Sequence, residues 1–314
     1  MAEISAKMVK DLREATGAGM MDCKKALSDP EVNGDFDKAV EFLRKKGLAA
    51  AAKKASRVAA EGVVKYAISE DAKKAVLVEV NSETDFVAKN EKFNTYVDEV
   101  AAQALSFGSS DVEAFLKEKW ALDPLLTVEE KLSSMVATIG EKLTIRRIEL
   151  VEGDVVVPYI HGEGKIGVLV AGKVSAVSDA VKDALKNIAM QIAALNAKYL
   201  DMSEVSEEFK AHELEVIKAN IAQDPKFAGK PEKVLEGAAS GRLNKELKEF
   251  CLLEQDYVKS ADDSDKTVAK YVAKVAKETG SDFAVKSFIR LERGEGIEKK
   301  VDDFAAEVAA QAGM

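Results

Sequence analysis

One order of elements occurs twice in this chain: two strand-like runs about a turn, then a helix. It constrains the fold more than any other feature. In the first occurrence Val63-Val64-Lys65-Tyr66 and Val76-Leu77-Val78-Glu79-Val80 flank the turn residues Glu70-Asp71-Ala72-Lys73. The apolar positions that follow, Phe93, Val97, Val100, Ala101 and Leu105, fall at helical spacing. In the second, runs at 155–160 and 166–174 flank a glycine-rich turn, and Val181, Leu185, Ile188 and Ile192 mark the helix. A further helix is expected at about 127–139 and a returning strand at 142–150. Strands joined by short turns pair antiparallel, and each sheet needs a covering layer. The expectation is an α+β fold: a duplicated core with small antiparallel sheets.

Helices surround this core. Ser5 can cap a first helix with Met8, Val9 and Leu12 inward, and Thr16-Gly17-Ala18-Gly19 breaks it. A second helix at 22–27 turns Cys23 and Ala26 inward. A third, from about Asp35, puts Phe36, Ala39, Val40 and Leu43 on one face and is expected to stop at Gly47. Residues 48–60, rich in alanine and lysine, read as a helical linker. Within the second repeat, Val205, Phe209, His212 and Val216, then Leu235, Ala239, Leu243, Leu247 and Phe250, follow coiled-coil-like spacing. They predict an inserted antiparallel helical hairpin, with Pro231 as a first helical residue and Gly237 and Gly241 allowing close helix approach. A strand at 287–292 and a C-terminal helix with Phe304, Ala305, Val308 and Ala309 complete the pattern. The domains expected are 1–55, a three-helix unit; 56–152, the first core subdomain; 153–200 with 253–296, the second; 201–252, the hairpin; and 297–314, a C-terminal module.

Composition narrows the function classes. The 314 residues are 47% hydrophobic and 32% charged, enough for more than one core. A net charge of −9 disfavours a chain-wide attraction to nucleic acid or anionic membrane. The sign is uneven, because residues 1–60 hold 12 basic and 9 acidic side chains. Cys23 and Cys251 show no CxxC spacing, so a disulfide framework or a metal knuckle is not expected. No apolar run approaches a membrane span, and Met1 leads at once into a helix without a signal peptide.

The motifs that carry chemistry are few. Gly162-Glu163-Gly164-Lys165-Ile166-Gly167 fits G-x-G-x-x-G, but a strand follows it, whereas a dinucleotide site needs a helix there. No P-loop is present. The two histidines, His161 and His212, form no zinc spacing, so neither a metal nor another cofactor is expected. His161 sits at a turn tip and suits a surface contact, whereas His212 lies on the hairpin stripe. Adjacent Met20 and Met21 suit an adaptable binding surface, with core filling by one of them as the plainer reading. Lys45, Lys46, Lys53, Lys54 and Arg57 lack interleaved aromatics and read as a solvated face. Thr84-Asp85-Phe86-Val87-Ala88-Lys89 stands at a strand-to-helix corner. Asp85 is favoured there by the helix dipole. Phe86 either caps the core or protrudes as a wedge, and the residues leave both readings open.

The segment from Thr16 to Leu27, which reads TGAGMMDCKKAL, resembles the signature of the translation elongation factor Ts family, and Thr84-Asp85-Phe86-Val87-Ala88-Lys89-Asn90 is similar to that family's second signature. Ile139-Gly140-Glu141 with Ile145-Arg146-Arg147, His161 before Ile166-Gly167-Val168-Leu169-Val170, and Gly294-Glu295-Gly296-Ile297-Glu298-Lys299 match in order along the chain. The resemblance implies a non-enzymatic guanine-nucleotide exchange factor for the GTPase elongation factor Tu. It implies that the three-helix unit is ubiquitin-associated-like and touches the GTPase through Met20, Met21 and Lys24. It also implies that Thr84, Asp85, Phe86 and Val87 enter near the partner's magnesium and phosphate site, and that Ile139 and His161 share the contact surface. The hairpin would dimerise the protein or support a two-to-two complex. A bacterial cytoplasm is the expected setting, or an organelle matrix or stroma after removal of a transit segment. Ser82-Glu83 departs from the family pattern just before the threonine. A second reading is an adaptor that binds a ubiquitin-like domain or RNA through residues 1–60. A third is an enzyme, for which no acid/base pair is evident.

Overall fold

A computed structural model describes residues 4–298. The expected C-terminal helix with Phe304, Ala305, Val308 and Ala309 lies outside the described residues.

Three helices, α1 (Ala6–Thr16), α2 (Met20–Ser28) and α3 (Phe36–Lys54), form the N-terminal unit. Ser5 caps α1 and Asp35 caps α3 through their side chains, and Gly17 ends α1. Val9, Leu12, Cys23, Ala26, Leu27, Val32 and Ala39 make a small closed core. Two expectations fail here. Phe36 is exposed at the start of α3. Gly47 does not stop α3, which runs on to Lys54. Gly47 is instead buried where α3 crosses α7 (Val128–Ile139), and a Cβ there would sit 3.5 Å from the Ser133 carbonyl. The glycine serves helix approach and not termination.

The core is two sheets packed face to face between helices. The first contains β1 (Glu61–Ile68), β2 (Lys74–Ser82) and β5 (Thr144–Glu152) in the order β1-β2-β5, all antiparallel. The second contains β6 (Val155–His161), β7 (Ile166–Lys173) and β8 (Ala284–Glu292) in the order β6-β7-β8, again antiparallel. Each follows one plan: hairpin, helix, insertion, helix, then a third strand beside the second. In the first the helices are α5 (Glu91–Phe107) and α7. The insertion is α6 (Val112–Lys117) with the short hairpin β3 (Lys119–Trp120) and β4 (Asp123–Thr127). In the second the helices are α8 (Asp179–Leu195) and α11 (Val268–Thr279), and the insertion is α9 (Glu207–Gln223) with α10 (Glu232–Phe250). The duplication read from the sequence is therefore present, and it extends to the closing helix and strand.

The pleat decides which residues meet. Val76, Val78 and Val80 of β2 point to α5, where Phe93, Tyr96, Val97 and Val100 bury them. Ala75 and Leu77 point the other way, onto Leu169 and Ala171 of β7. The outer face of the second sheet packs Val168 and Val170 on α8 and α11. Both central strands are thus covered on two sides, which is why they read as nearly continuous apolar runs, broken in β2 by Glu79.

Glu79 lies on the inter-sheet face and is fully buried. A bulge in β5 beside it places Arg146 and Arg147 together opposite one residue of β2. Both guanidinium groups donate to its carboxylate, as do the side chain of Asn81 and the backbone N–H of Gly294 at 2.7 Å. Burial pushes this carboxyl up, but the Gly294, Arg147 and Asn81 hydrogen bonds outweigh it and leave the group below the usual carboxylate range. Gly294 has φ +69, and a Cβ there would lie 2.1 Å from the Ala60 carbonyl, so only glycine brings this N–H to Glu79. The hub fastens the end of the second sheet to the first.

The hairpin is antiparallel as expected, but its stripe is shifted. Ile217, Ile221 and Ala239 are buried together with Leu214 and Leu235 around them, whereas His212 and Val216 face outward. Pro231 stands one residue before α10, at the N-cap position without a side-chain cap, and not as the first helical residue expected. Among the described residues nothing lies within 4 Å of where a Cβ on Gly237 or Gly241 would sit, so the close approach expected there does not occur among them.

Candidate functional site

β2 ends at Ser82, and the chain turns at once into the four-residue helix α4 (Asp85–Ala88). Thr84 caps α4, its hydroxyl accepting the Val87 N–H at 3.4 Å. The Ser82 hydroxyl donates to the Thr84 carbonyl at 3.0 Å, and the Asn94 amide reaches back to the Ala88 carbonyl at 2.8 Å. Val87 is 8% exposed and joins the core under α5, whereas Phe86 is 81% exposed. The two readings of the sequence are thus divided between neighbours: Val87 caps the core and Phe86 stands in solvent.

Asp85 is half-exposed, and the Lys89 ammonium donates to its carboxylate at 2.9 Å. That contact holds the carboxyl below its usual range.

A second turn holds the first. α7 ends at Gly140 with φ +91, and Glu141 follows. One Glu141 oxygen accepts the backbone N–H groups of Glu83 and Thr84 at 3.1 and 3.0 Å, and the other accepts the Thr84 hydroxyl at 2.7 Å. In return, the Glu83 carboxylate accepts the Lys142 N–H at 2.5 Å. The two turns exchange carboxylates. Lys142 and Arg57 extend the clasp to the end of the N-terminal unit. The Lys142 ammonium donates to the Ala55 and Arg57 carbonyls at 2.7 and 2.8 Å, and Arg57 pairs with Glu83 at 3.2 Å. Sequence reasoning gave roles to neither Glu141 nor Glu83. The available signal was an acid placed just past a helix-ending glycine.

The remaining candidates lie on α7, α2 and β6. Ile139, two residues before Glu141, is partly buried against the first core. Met20 and Met21 are both exposed at the start of α2, so neither fills the core, and Lys24 is exposed one turn on. Gly17, just before them, accepts a hydrogen bond at 3.3 Å from Lys92 in the first turn of α5, the helix that follows α4. His161 stands apart. It is exposed at the end of β6, its Nδ1 3.0 Å from the Tyr159 hydroxyl. The Gly162–Lys165 turn beside it docks on β1 through the Val64 N–H and the Gly164 carbonyl at 2.8 Å. This is the G-x-G-x-x-G segment, and it is a hairpin turn as expected. The basic run is partly neutralised: Lys46 meets Asp22 at 2.5 Å and Lys45 meets Glu41 at 3.6 Å. Among the described residues no group of three or more His, Cys, Asp or Glu could hold a metal, and no helix is long and apolar enough to cross a membrane.

A paired-sheet α+β core whose fixed corner presents an exposed aromatic is found here in a chain whose relatives are translation elongation factors. The family described as "Elongation factor TS" matches residues 83–295. The elongation factor Ts of Clostridium novyi (strain NT) is 49% identical over 310 residues, covering 98% of both chains. Those of Clostridium botulinum (strain Alaska E43 / Type E3) and Clostridioides difficile (strain 630) are each 50% identical over 312 residues, covering 99% of both chains. The chain belongs to the elongation factor Ts family, and its role is in the elongation stage of protein biosynthesis.

Proposed function

We propose that this protein is a non-enzymatic guanine-nucleotide exchange factor. It binds elongation factor Tu in the GDP form, disturbs the partner's Mg²⁺ and phosphate site, and promotes GDP release so that GTP can rebind. The observation that carries this reading is Phe86, a large apolar side chain held 81% exposed in a one-turn helix that Thr84 caps and Val87 anchors in the core. An exposed aromatic on a rigid corner gains most by entering another protein. Moving its ring out of water supplies on the order of 2 kcal/mol, or about thirtyfold in an equilibrium.

Tight binding alone releases nothing. Only affinity that differs between the partner's two states shifts them. The wedge therefore fits the nucleotide-free partner better than the GDP form, and linkage requires that GDP be weakened by the same factor. In this reading Asp85 and Phe86 act at the metal and phosphate site, with Thr84 and Val87 holding them. Met20, Met21, Lys24, Ile139 and His161 supply the rest of the contact. The bacterial cytoplasm fits as the setting. The test is equilibrium binding: the protein's affinity for elongation factor Tu is measured with and without GDP. Tighter binding without GDP supports the reading, and equal affinities contradict it.

The hairpin, residues 201–252, is proposed as the dimer contact. Val216 and Val234 are exposed on it, and Gly237 and Gly241 leave open backbone on the face away from α9. Sedimentation at rising concentration tests this.

A further inference from the structure

We infer that Glu141 is the positioning residue for Phe86, so that exchange depends on a side chain that need not touch the partner. The inference rests on the exchange reading above. Phe86 cannot orient itself, because little of this chain covers its ring. Its direction is set by the backbone of Glu83, Thr84 and Asp85. Glu141 takes both N–H groups at the start of that segment and the Thr84 hydroxyl. The same hydroxyl caps α4 by accepting the Val87 N–H. Glu141 thus fixes the first residue of the turn, and the cap passes that placement to Phe86. Val87 and Ala88 anchor the other end in the core. With Glu141 removed, two amides and a hydroxyl lose their acceptor, and the turn is free to rotate about the Val87 anchor. The reciprocal bond from Lys142 to Glu83 holds the turns together but gives Thr84 no acceptor.

Reach and charge are separable. Glu141→Asp keeps the charge but draws the carboxylate back by one methylene. Glu141→Gln keeps the length, and its carbonyl oxygen can still accept both amides while its NH₂ faces the Thr84 hydroxyl oxygen. A positioning role predicts that Asp fails and Gln rescues, whereas a general charge effect predicts the reverse.

The experiment uses the full chain and two readouts: release of fluorescent GDP from elongation factor Tu, and the fluorine NMR signal of 4-fluorophenylalanine placed at position 86. Glu141→Asp and Glu141→Ala are expected to lower the acceleration about tenfold, the equivalent of one lost charge-assisted hydrogen bond. They are also expected to shift or broaden the fluorine signal, while Glu141→Gln keeps both near wild type. In a Phe86→Ala background, Glu141→Asp is expected to add less than about twofold, because residues acting through one another do not add. An unchanged fluorine signal in Glu141→Asp, or full additivity with Phe86→Ala, overturns the inference. Failure of the wild type to accelerate release overturns the exchange reading instead, and the fluorine signal then decides the positioning role separately.

Discussion

The carboxylate of Glu141 grips Thr84 at both its amide and its hydroxyl, at 3.0 and 2.7 Å, across 57 residues of sequence. This makes the corner at Phe86 a joint product of two turns, one leaving β2 and one leaving α7. The exposed ring is therefore presented by a stiff frame and not by a free loop.

Adjacent residues should separate binding from stability. Phe86→Ala is expected to leave the melting temperature unchanged, because the ring is in solvent. Val87→Ala opens a gap under α5 and should cost about 1–3 kcal/mol. Thermal unfolding of the two variants checks this, and a marked loss of stability in Phe86→Ala would mean that the ring is packed.

Gly140 sets where Glu141 begins. At φ +91 an alanine would be strained, although among the described residues no atom lies within 4 Å to clash with it. Gly140→Ala is expected to cost about 1–2 kcal/mol and to slow exchange as well. Urea unfolding and GDP release, measured on one preparation, test both parts.

Glu79 links stability to acid. Its folded carboxyl lies below the ordinary range, so the unfolded chain takes up its proton first as pH falls. The contribution is complete above the unfolded value of about 4.3 and is lost as pH drops through the folded one. Melting temperature should therefore fall below about pH 5. Glu79→Gln leaves Arg146 and Arg147 without their carboxylate and should cost about 3–5 kcal/mol at neutral pH. Its acid limb should also be flatter than the wild type's, and parallel limbs would show that other carboxylates set the slope.

Much of the fold is legible because the strands and helices are local. The β2 and β7 runs, the α5 and α8 stripes, the cap at Ser5 and the start of α3 near Asp35 follow from local residue type and spacing. The misreadings share a cause, which is that glycine and apolar residues mean different things in different surroundings. Gly47 looks like a helix stop but lies at a helix crossing. Gly237 and Gly241 look like a packing seam, but none of the described residues packs against them. Val216 fits the hairpin's spacing, yet Ile217 and Ile221 are what the partner helix covers. At the site, Phe86 is conspicuous in the sequence because an aromatic is unusual at such a corner. Glu83, Glu141 and Glu79 are not, since a carboxylate's partners come from distant segments and leave no periodic trace.

Stopped-flow release of fluorescent GDP from elongation factor Tu, with wild type and with Phe86→Ala, decides whether Phe86 is the wedge. Strong acceleration by wild type, reduced about thirtyfold in the variant while binding to elongation factor Tu persists, is the predicted result. Equal acceleration by both proteins would contradict the wedge, and no acceleration by either would contradict exchange itself.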